Sequence, residues 1–184
     1  MFYAVQVQDY IRVPPTEFSK ELDLAVIGQV KAKFAGYISK DLGYVIDVID
    51  LIGVEEGIIV PGDGAAFYKA KFELLAYLPE LQETVVGKVK DITDFGAFVT
   101  LGPVEGMVHI GQTMNDFVSF SKEKVLAGKE TKRTLKVGDK CFAKIVAVSF
   151  KDITNPKIGM TMRQPGLGKV DWFEEDLKIK PAAE

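Results

Sequence analysis

The residues with the most distinctive chemistry lie in one run. It is Gly87-Lys88-Val89-Lys90-Asp91-Ile92-Thr93-Asp94-Phe95-Gly96-Ala97-Phe98-Val99, followed shortly by Gly106-Met107-Val108-His109-Ile110. Phe95 and Phe98 are three apart, whereas side chains on a strand alternate faces, so a bend or bulge at Gly96 would turn both rings to one outer surface. His109 would join them from the next strand. Flat rings on a strand surface are stacking platforms for nucleic-acid bases, each worth about 1–3 kcal/mol and tolerant of sequence because every base has a π-face. Lys88, Lys90, Lys144, Lys157 and Arg163 are the candidate phosphate contacts around such a surface. The same two rings could instead fill the interior of a barrel, and the spacing alone leaves both readings open.

Catalysis is the competing class and finds little support. His109 is the single imidazole and Cys141 the single thiol. One cysteine allows no internal disulfide and no cysteine-cluster zinc site. Cys141 lies in a strand pattern with no local base to activate it, and no glycine-rich run followed by Lys-Ser/Thr offers a phosphate loop. Asp91 and Asp94 flank a turn, where capping and solvated roles suit them better than metal ligation. The expectation is a chain with no catalytic residue, no metal and no cofactor.

Charge is unevenly spread behind a formal net charge of −3. Residues 1–80 carry seven Lys or Arg against twelve Asp or Glu, residues 81–170 fourteen against nine, and residues 171–184 two against five. A basic middle in an acidic chain points to a polyanion site on that segment alone, because phosphate attraction follows local potential. Forty-seven per cent apolar and 27% charged residues are ordinary for a folded chain. No apolar run approaches the ~18 residues of a membrane span, and the start lacks a basic secretory leader. The expectation is a soluble, cytoplasmic protein without a membrane partner.

The positioning elements divide in two. Phe2–Gln8 alternates as a strand, and Pro14-Pro15-Thr16-Glu17 opens a helix whose stripe is Phe18, Leu22, Val26, Val30 and Phe34, with Gly36 as its stop. Tyr44–Leu51, Gly57–Val60 and Phe67–Tyr77 read as strands, with turn chemistry at Pro61-Gly62-Asp63-Gly64. Residues 1–80 are therefore a helix packed on a small antiparallel sheet, and Pro79 marks the boundary. From residue 81 the pattern is strands alone: Val85–Lys90, Phe95–Leu101, Glu105–Ile110, Val137–Val148 and Lys157–Met162. Five short strands punctuated by glycine predict a five-stranded OB-type β-barrel in residues 81–184. The fold class is α+β.

These residues also carry a resemblance. Ile92 to Val99, Gly106 to Ile110 and Val137-Gly138-Asp139 resemble the RNA-binding OB fold of ribosomal S-one-type proteins, in which the two aromatics and the histidine lie on the RNA face. That implies this role for Phe95, Phe98 and His109. Val13-Pro14-Pro15, Gly62-Asp63-Gly64 and Met162-Arg163-Gln164-Pro165-Gly166-Leu167-Gly168 resemble the E-prime subunit family of archaeal RNA polymerases, the counterpart of the seventh subunit of RNA polymerase II. This family resemblance implies a non-catalytic stalk subunit. Residues 1–80 would dock on the polymerase core, with the tip Gly62, Asp63 and Gly64 as candidate contacts. A small helical stalk subunit, F or E-double-prime, would be a partner, and the barrel would meet nascent single-stranded RNA. Two departures stand out: only Lys157 can replace the basic residue usual near the final hairpin, and the interval 111–136 is longer than the common form. The alternative is a free-standing S-one-type RNA-binding protein of translation or RNA decay. Trp172-Phe173 suits either a partner contact or packing within the chain.

Overall fold

In the computed structural model, the described residues are 1–121, 123–150, 152 and 156–173. Lys122 of the long interval, Ile153-Thr154-Asn155 of the expected final hairpin and the chain after Phe173 lie outside them. Two compact units divide after Leu78, the second beginning at Pro79.

In the first unit, alternating residues make β1 (Phe2–Val13) one long strand. It pairs antiparallel with β4 (Ala66–Tyr77), which pairs in turn with β3 (Gly43–Ile59), and the short β2 (Ile38–Ser39) completes the order β1-β4-β3-β2. The two strands expected over 44–60 are one: its register against β4 shifts four times, so bulges break the alternation without ending the strand. Helix α1 (Leu22–Phe34) lays Ala25, Val26, Val30 and Phe34 on the sheet among Ile11, Val45, Phe72 and Leu74. The Phe34 and Phe72 rings meet at 5.2 Å. Each fully buried side chain of this size contributes about 1.5–3 kcal/mol.

The helix starts later than expected. Pro14-Pro15 begins a single 3-10 turn, closed by the Glu17 and Phe18 amides on the Pro14 and Pro15 carbonyls, and the chain then breaks before Leu22. Phe18 is 50% exposed and Leu22 is also exposed, so the buried stripe begins at Ala25 and Val26. Gly36 does end the helical segment, its N–H donating to the Val45 carbonyl at 3.0 Å.

In the second unit, β5 (Thr84–Thr93), β6 (Gly96–Thr100) and β7 (Glu105–His109) form an antiparallel meander. Three short strands follow, β8 (Val118–Ser121), β9 (Val125–Gly128) and β10 (Thr134–Lys136), then β11 (Lys140–Ser149), β12 (Lys157–Thr161) and β13 (Gly168–Lys169). β12 runs parallel to β7 and antiparallel to β11, and β11 returns to β5. The five strands thus close into the expected barrel and leave no free edge among them, while β13 adds to β11. Val89, Ile92, Val99, Val108, Ala143 and Ile145 are among its buried interior.

The described residues of the interval 111–136 are folded. β8, β9 and β10 make their own antiparallel sheet in the order β10-β9-β8, with Met114, Leu126 and Leu135 buried. Trp172 packs within this unit: its ring lies under the Arg133 guanidinium at 5.6 Å, and a Cβ on Gly168 would strike it at 2.6 Å. Phe173 meets Phe142 edge-on at 5.5 Å.

Gly96 is the tightest point of the meander. Its φ of +152° is rarely adopted by other residues, and an added Cβ would stand 2.0 Å from the Val108 carbonyl oxygen. Gly96→Ala is therefore expected to destabilise the second unit by about 2–4 kcal/mol, through backbone strain plus separation of β6 from β7. Trp172 is the single tryptophan and belongs to that unit, so its fluorescence in a denaturant titration measures the loss; an unchanged midpoint would refute it.

Candidate nucleic-acid interface

Strand parity and register build the outer face of the barrel. On β6 the outward residues are Gly96, Phe98 and Thr100; on β7 they are Glu105, Met107 and His109. Pairing sets Phe98 against Met107, Met107 against Gly159 of β12, and Gly159 against Ala147 of β11. Because Gly159 has no side chain, the row sinks in its middle. The result is a cavity of about 630 Å³ whose wall includes Phe98, Met107, His109, Gln112, Val146 and Lys157.

Three of the expected residues, Phe98, His109 and Lys157, thus share one concavity. Phe95 adjoins it without lining it. The bulge lies on β5, between Val89 and Asp91, and not at Gly96. Phe95 instead occupies the two-residue turn between β5 and β6, where its ring is 65% exposed and its carbonyl accepts from the Ile110 N–H at 2.8 Å. Neither ring belongs to the fully buried interior: Phe98 is half-buried and outward. His109 is exposed, and its Nδ1 accepts from the Gly111 N–H at 3.2 Å. With Nδ1 accepting, Nε2 is the ring nitrogen left to donate.

The remaining cations are distributed. Lys88 and Lys90 line a separate groove of about 670 Å³ with Lys140, which stands opposite Lys88 across the β5–β11 pair. Lys90 is bonded to the Glu105 carboxylate, which shares the cavity wall. Lys144 is half-buried between Thr84 and Thr161 and lines neither hollow. Arg163 lies beyond the end of β12, its Nε donating to Asn115 Oδ1 at 3.0 Å. Sequence reasoning missed Met107, Val146 and Lys140. Met107 was accessible from parity, since it alternates with His109, whereas Val146 depended on the register break between Ile145 and Ala147 on β11, and Lys140 on the pairing of β5 with β11.

At the tip of the first unit, Gly62 and Gly64 take φ of +96° and +69°, and the Asp63 carboxylate grips the Arg12 guanidinium at 2.5 and 2.8 Å. This hydrogen bonding holds the Asp63 carboxyl below its usual range. Ile58, Ile59 and Val60 are exposed beside it, an apolar surface sequence reasoning did not single out.

Two acidic groups tie the inserted sheet down. Lys124 reaches back to Asp91 at 2.7 Å, and this contact, with the Ile92 N–H, holds the Asp91 carboxyl low. Asp116 accepts from the Thr131 N–H at 2.9 Å and hydroxyl at 2.8 Å, and from the Glu130 and Phe117 amides. Burial pushes the Cys141 thiol up to about 12, so it is protonated and unreactive at neutral pH. Among the described residues no group of three or more His, Cys, Asp or Glu could hold a metal ion, and no helix is long and apolar enough to cross a membrane.

Comparison with known proteins gives a consistent pattern. The model of the SHS2 domain found in the N terminus of Rpb7p/Rpc25p/MJ0397 matches residues 8–64, and that of the S1 RNA binding domain matches residues 78–152. The DNA-directed RNA polymerase subunit Rpo7 of Saccharolobus solfataricus is 35% identical over 181 residues, covering 97% of this chain and 100% of that protein. The DNA-directed RNA polymerase III subunit RPC8 of Saccharomyces cerevisiae is 33% identical over 114 residues, 62% of this chain and 54% of that protein. The small ribosomal subunit protein bS1 homolog of Bacillus subtilis is 33% identical over 111 residues, 60% of this chain and 25% of that protein.

The Asp116 hydrogen bonds lower its folded pKa below the ordinary 3.8, the Thr131 N–H being the largest cause. The stabilisation this carboxylate gives the inserted sheet is complete above the unfolded carboxylate value and is lost as pH falls through the depressed folded one. The Glu130 and Thr131 amide resonances should therefore titrate together with a midpoint below 3.8, and Asp116→Asn should abolish that titration. A midpoint above 3.8 would contradict the assignment.

Proposed function

This chain belongs to the Rpo7 family of DNA-directed RNA polymerase subunits, and we propose that it is the non-catalytic stalk subunit that receives nascent single-stranded RNA on its barrel. The observation that carries the RNA reading is the concavity uniting Phe98, Met107, His109 and Lys157 on the outer barrel face. A base enters the hollow above Gly159 and stacks on Phe98, with Met107 as an adaptable apolar floor. His109 offers its Nε2 proton to a base edge, sugar or phosphate oxygen. Lys157, and Arg163 beyond it, attract the backbone. Phe95, at the turn, takes a neighbouring base outside the hollow. Lys88, Lys90 and Lys144 add a diffuse positive field, with Lys90 already partly neutralised by Glu105. Stacking without a dense array of base-edge donors gives binding with little sequence preference, which suits a surface that meets any transcript.

The first unit, residues 1–78 in the structure and 1–80 in the sequence reading, is assigned to docking on the polymerase core. Gly62 and Gly64 keep the tip narrow, Arg12 and Asp63 hold its shape, and Ile58–Val60 supply apolar surface. A small helical stalk subunit, F, is the second protein partner assigned to the chain. As a polymerase subunit it works beside DNA in the cytoplasm. The free-standing reading, an S1-type protein of translation or RNA decay, accounts for the barrel but leaves the SHS2-type first unit without a role.

Two outcomes test this. The full chain should bind labelled oligo(U) RNA in fluorescence anisotropy, and Phe98→Ala should weaken it about five- to tenfold while Lys157→Gln lowers the salt slope by about 0.7. Unchanged affinity for Phe98→Ala would remove the stacking face. Affinity purification from the native cell should recover polymerase core and a small helical subunit; recovery of ribosomal or nuclease components alone would favour the free-standing reading.

A further inference from the structure

The inserted sheet extends the barrel cavity in one direction. A second hollow, of about 580 Å³, shares Gln112 and Val146 with the Phe98 cavity and continues past Asn115, Thr161 and Arg163. A third, of about 410 Å³, shares Asn115 and Arg163 with the second and ends at Phe117 and Val118, where β8 begins. The three make one track with an aromatic ring at each end and an arginine between them.

The parts of the track are held in place. The Met162 N–H donates to the Gln112 carbonyl and the Thr161 hydroxyl to the Gln112 side chain, at 2.8 Å each, so the wall between the first two hollows is tied to the end of β12. Asn115 orients the Arg163 guanidinium through Nε, and no described residue pairs with its terminal nitrogens. Phe117 is 77% exposed, yet its backbone is fixed on both sides. Its N–H donates to Asp116 Oδ1 at 2.5 Å and its carbonyl accepts from the Lys129 N–H at 2.9 Å. A large ring offered to solvent from an anchored backbone is preorganised for contact and gains little within its own chain.

We propose that the inserted sheet is a second stacking platform for single-stranded RNA, with Phe117 as its ring and Arg163 as the phosphate contact that joins it to the barrel cavity. This rests on the reading of the barrel as an RNA surface and gives the 111–136 segment a role in setting how long a strand is held. Charge fixes the strand's orientation. Asp116 and Glu130 both line the third hollow, and Asp116 stays an anion while it accepts from the Thr131 and Glu130 amides, so this wall repels phosphate. The backbone therefore follows the Arg163 side, and a base turns toward Phe117.

The test compares labelled oligo(U) RNAs of about four and about twelve nucleotides, spanning the range of site sizes for such folds. The full chain, Phe117→Ala, Phe117→Tyr and Phe98→Ala are measured at one low salt concentration. Phe117→Ala should weaken the long RNA about fivefold or more, leave the short one within twofold, and leave the Trp172 denaturation midpoint unchanged; Phe117→Tyr, which keeps a stacking ring, should restore the long RNA. Phe98→Ala should weaken both lengths. A Phe117→Ala variant that matches the unsubstituted chain on both lengths, or loses both equally, beside a weakened Phe98→Ala, would overturn the extension alone, as would a loss confined to capture of the small helical subunit. Phe98→Ala without effect at either length would overturn the barrel reading and this one with it.

Discussion

The parallel pairing of β7 with β12 is the constraint on which the proposed RNA face depends. It is the single parallel junction in a ring of antiparallel ones, and it closes the barrel by placing Gly159 between Met107 and Ala147. Without that placement the outward side chains of β6 and β7 would stand on the edge of an open sheet, and Phe98 would face bulk solvent on one side. Closure brings β12 and the exposed Val146 of β11 around as an opposite wall. The same junction delivers Lys157 to the rim, at the first residue of β12. A long-range backbone pairing thus assembles side chains from β6, β7, β11 and β12 that are separated by some fifty residues of sequence.

The chemistry of the face follows from what each wall can do. Its floor is apolar and its cations sit at the rim, so contact area is gained without burying charge, and exposed lysines keep most of their hydration. Polar groups of the wall are fixed by hydrogen bonds, His109 by the Gly111 amide and Gln112 by the Thr161 hydroxyl. Glu105 sets the sign of the boundary between the two hollows: through Lys90 it cancels part of the positive field on that side and leaves Lys157 dominant on the other. Surface ion pairs such as this contribute little to stability, but they shape the potential that a passing phosphate meets.

Much of this was legible in the sequence, and the failures have physical causes. The five barrel strands and the β1 and β4 strands announced themselves because one face of each is buried, which imposes a period of two. β3 read as two strands because its bulges reset the period, and the helix start was misplaced because Phe18 falls on the helical stripe by spacing while Pro15 commits the chain to a separate turn. The inserted sheet was invisible: its strands are four, four and three residues long, too short for alternation to show among lysines and glycines. The outer face for Phe98 and His109 came from the family resemblance, since the spacing alone left an interior place open for the ring. Which lysines shared their hollow could not be read, because that depends on register across β5, β11 and β12, and no local pattern encodes it.

The lone thiol has a practical corollary. Cys141 is sealed on β11, with its Sγ against the Gly87 carbonyl at 3.7 Å. A chain whose natural sulfhydryl is silent can accept one engineered cysteine anywhere on its surface and take a dye or spin probe at that point alone. Distances from each unit to a polymerase could then be followed in solution without first stripping the molecule of competing attachment points.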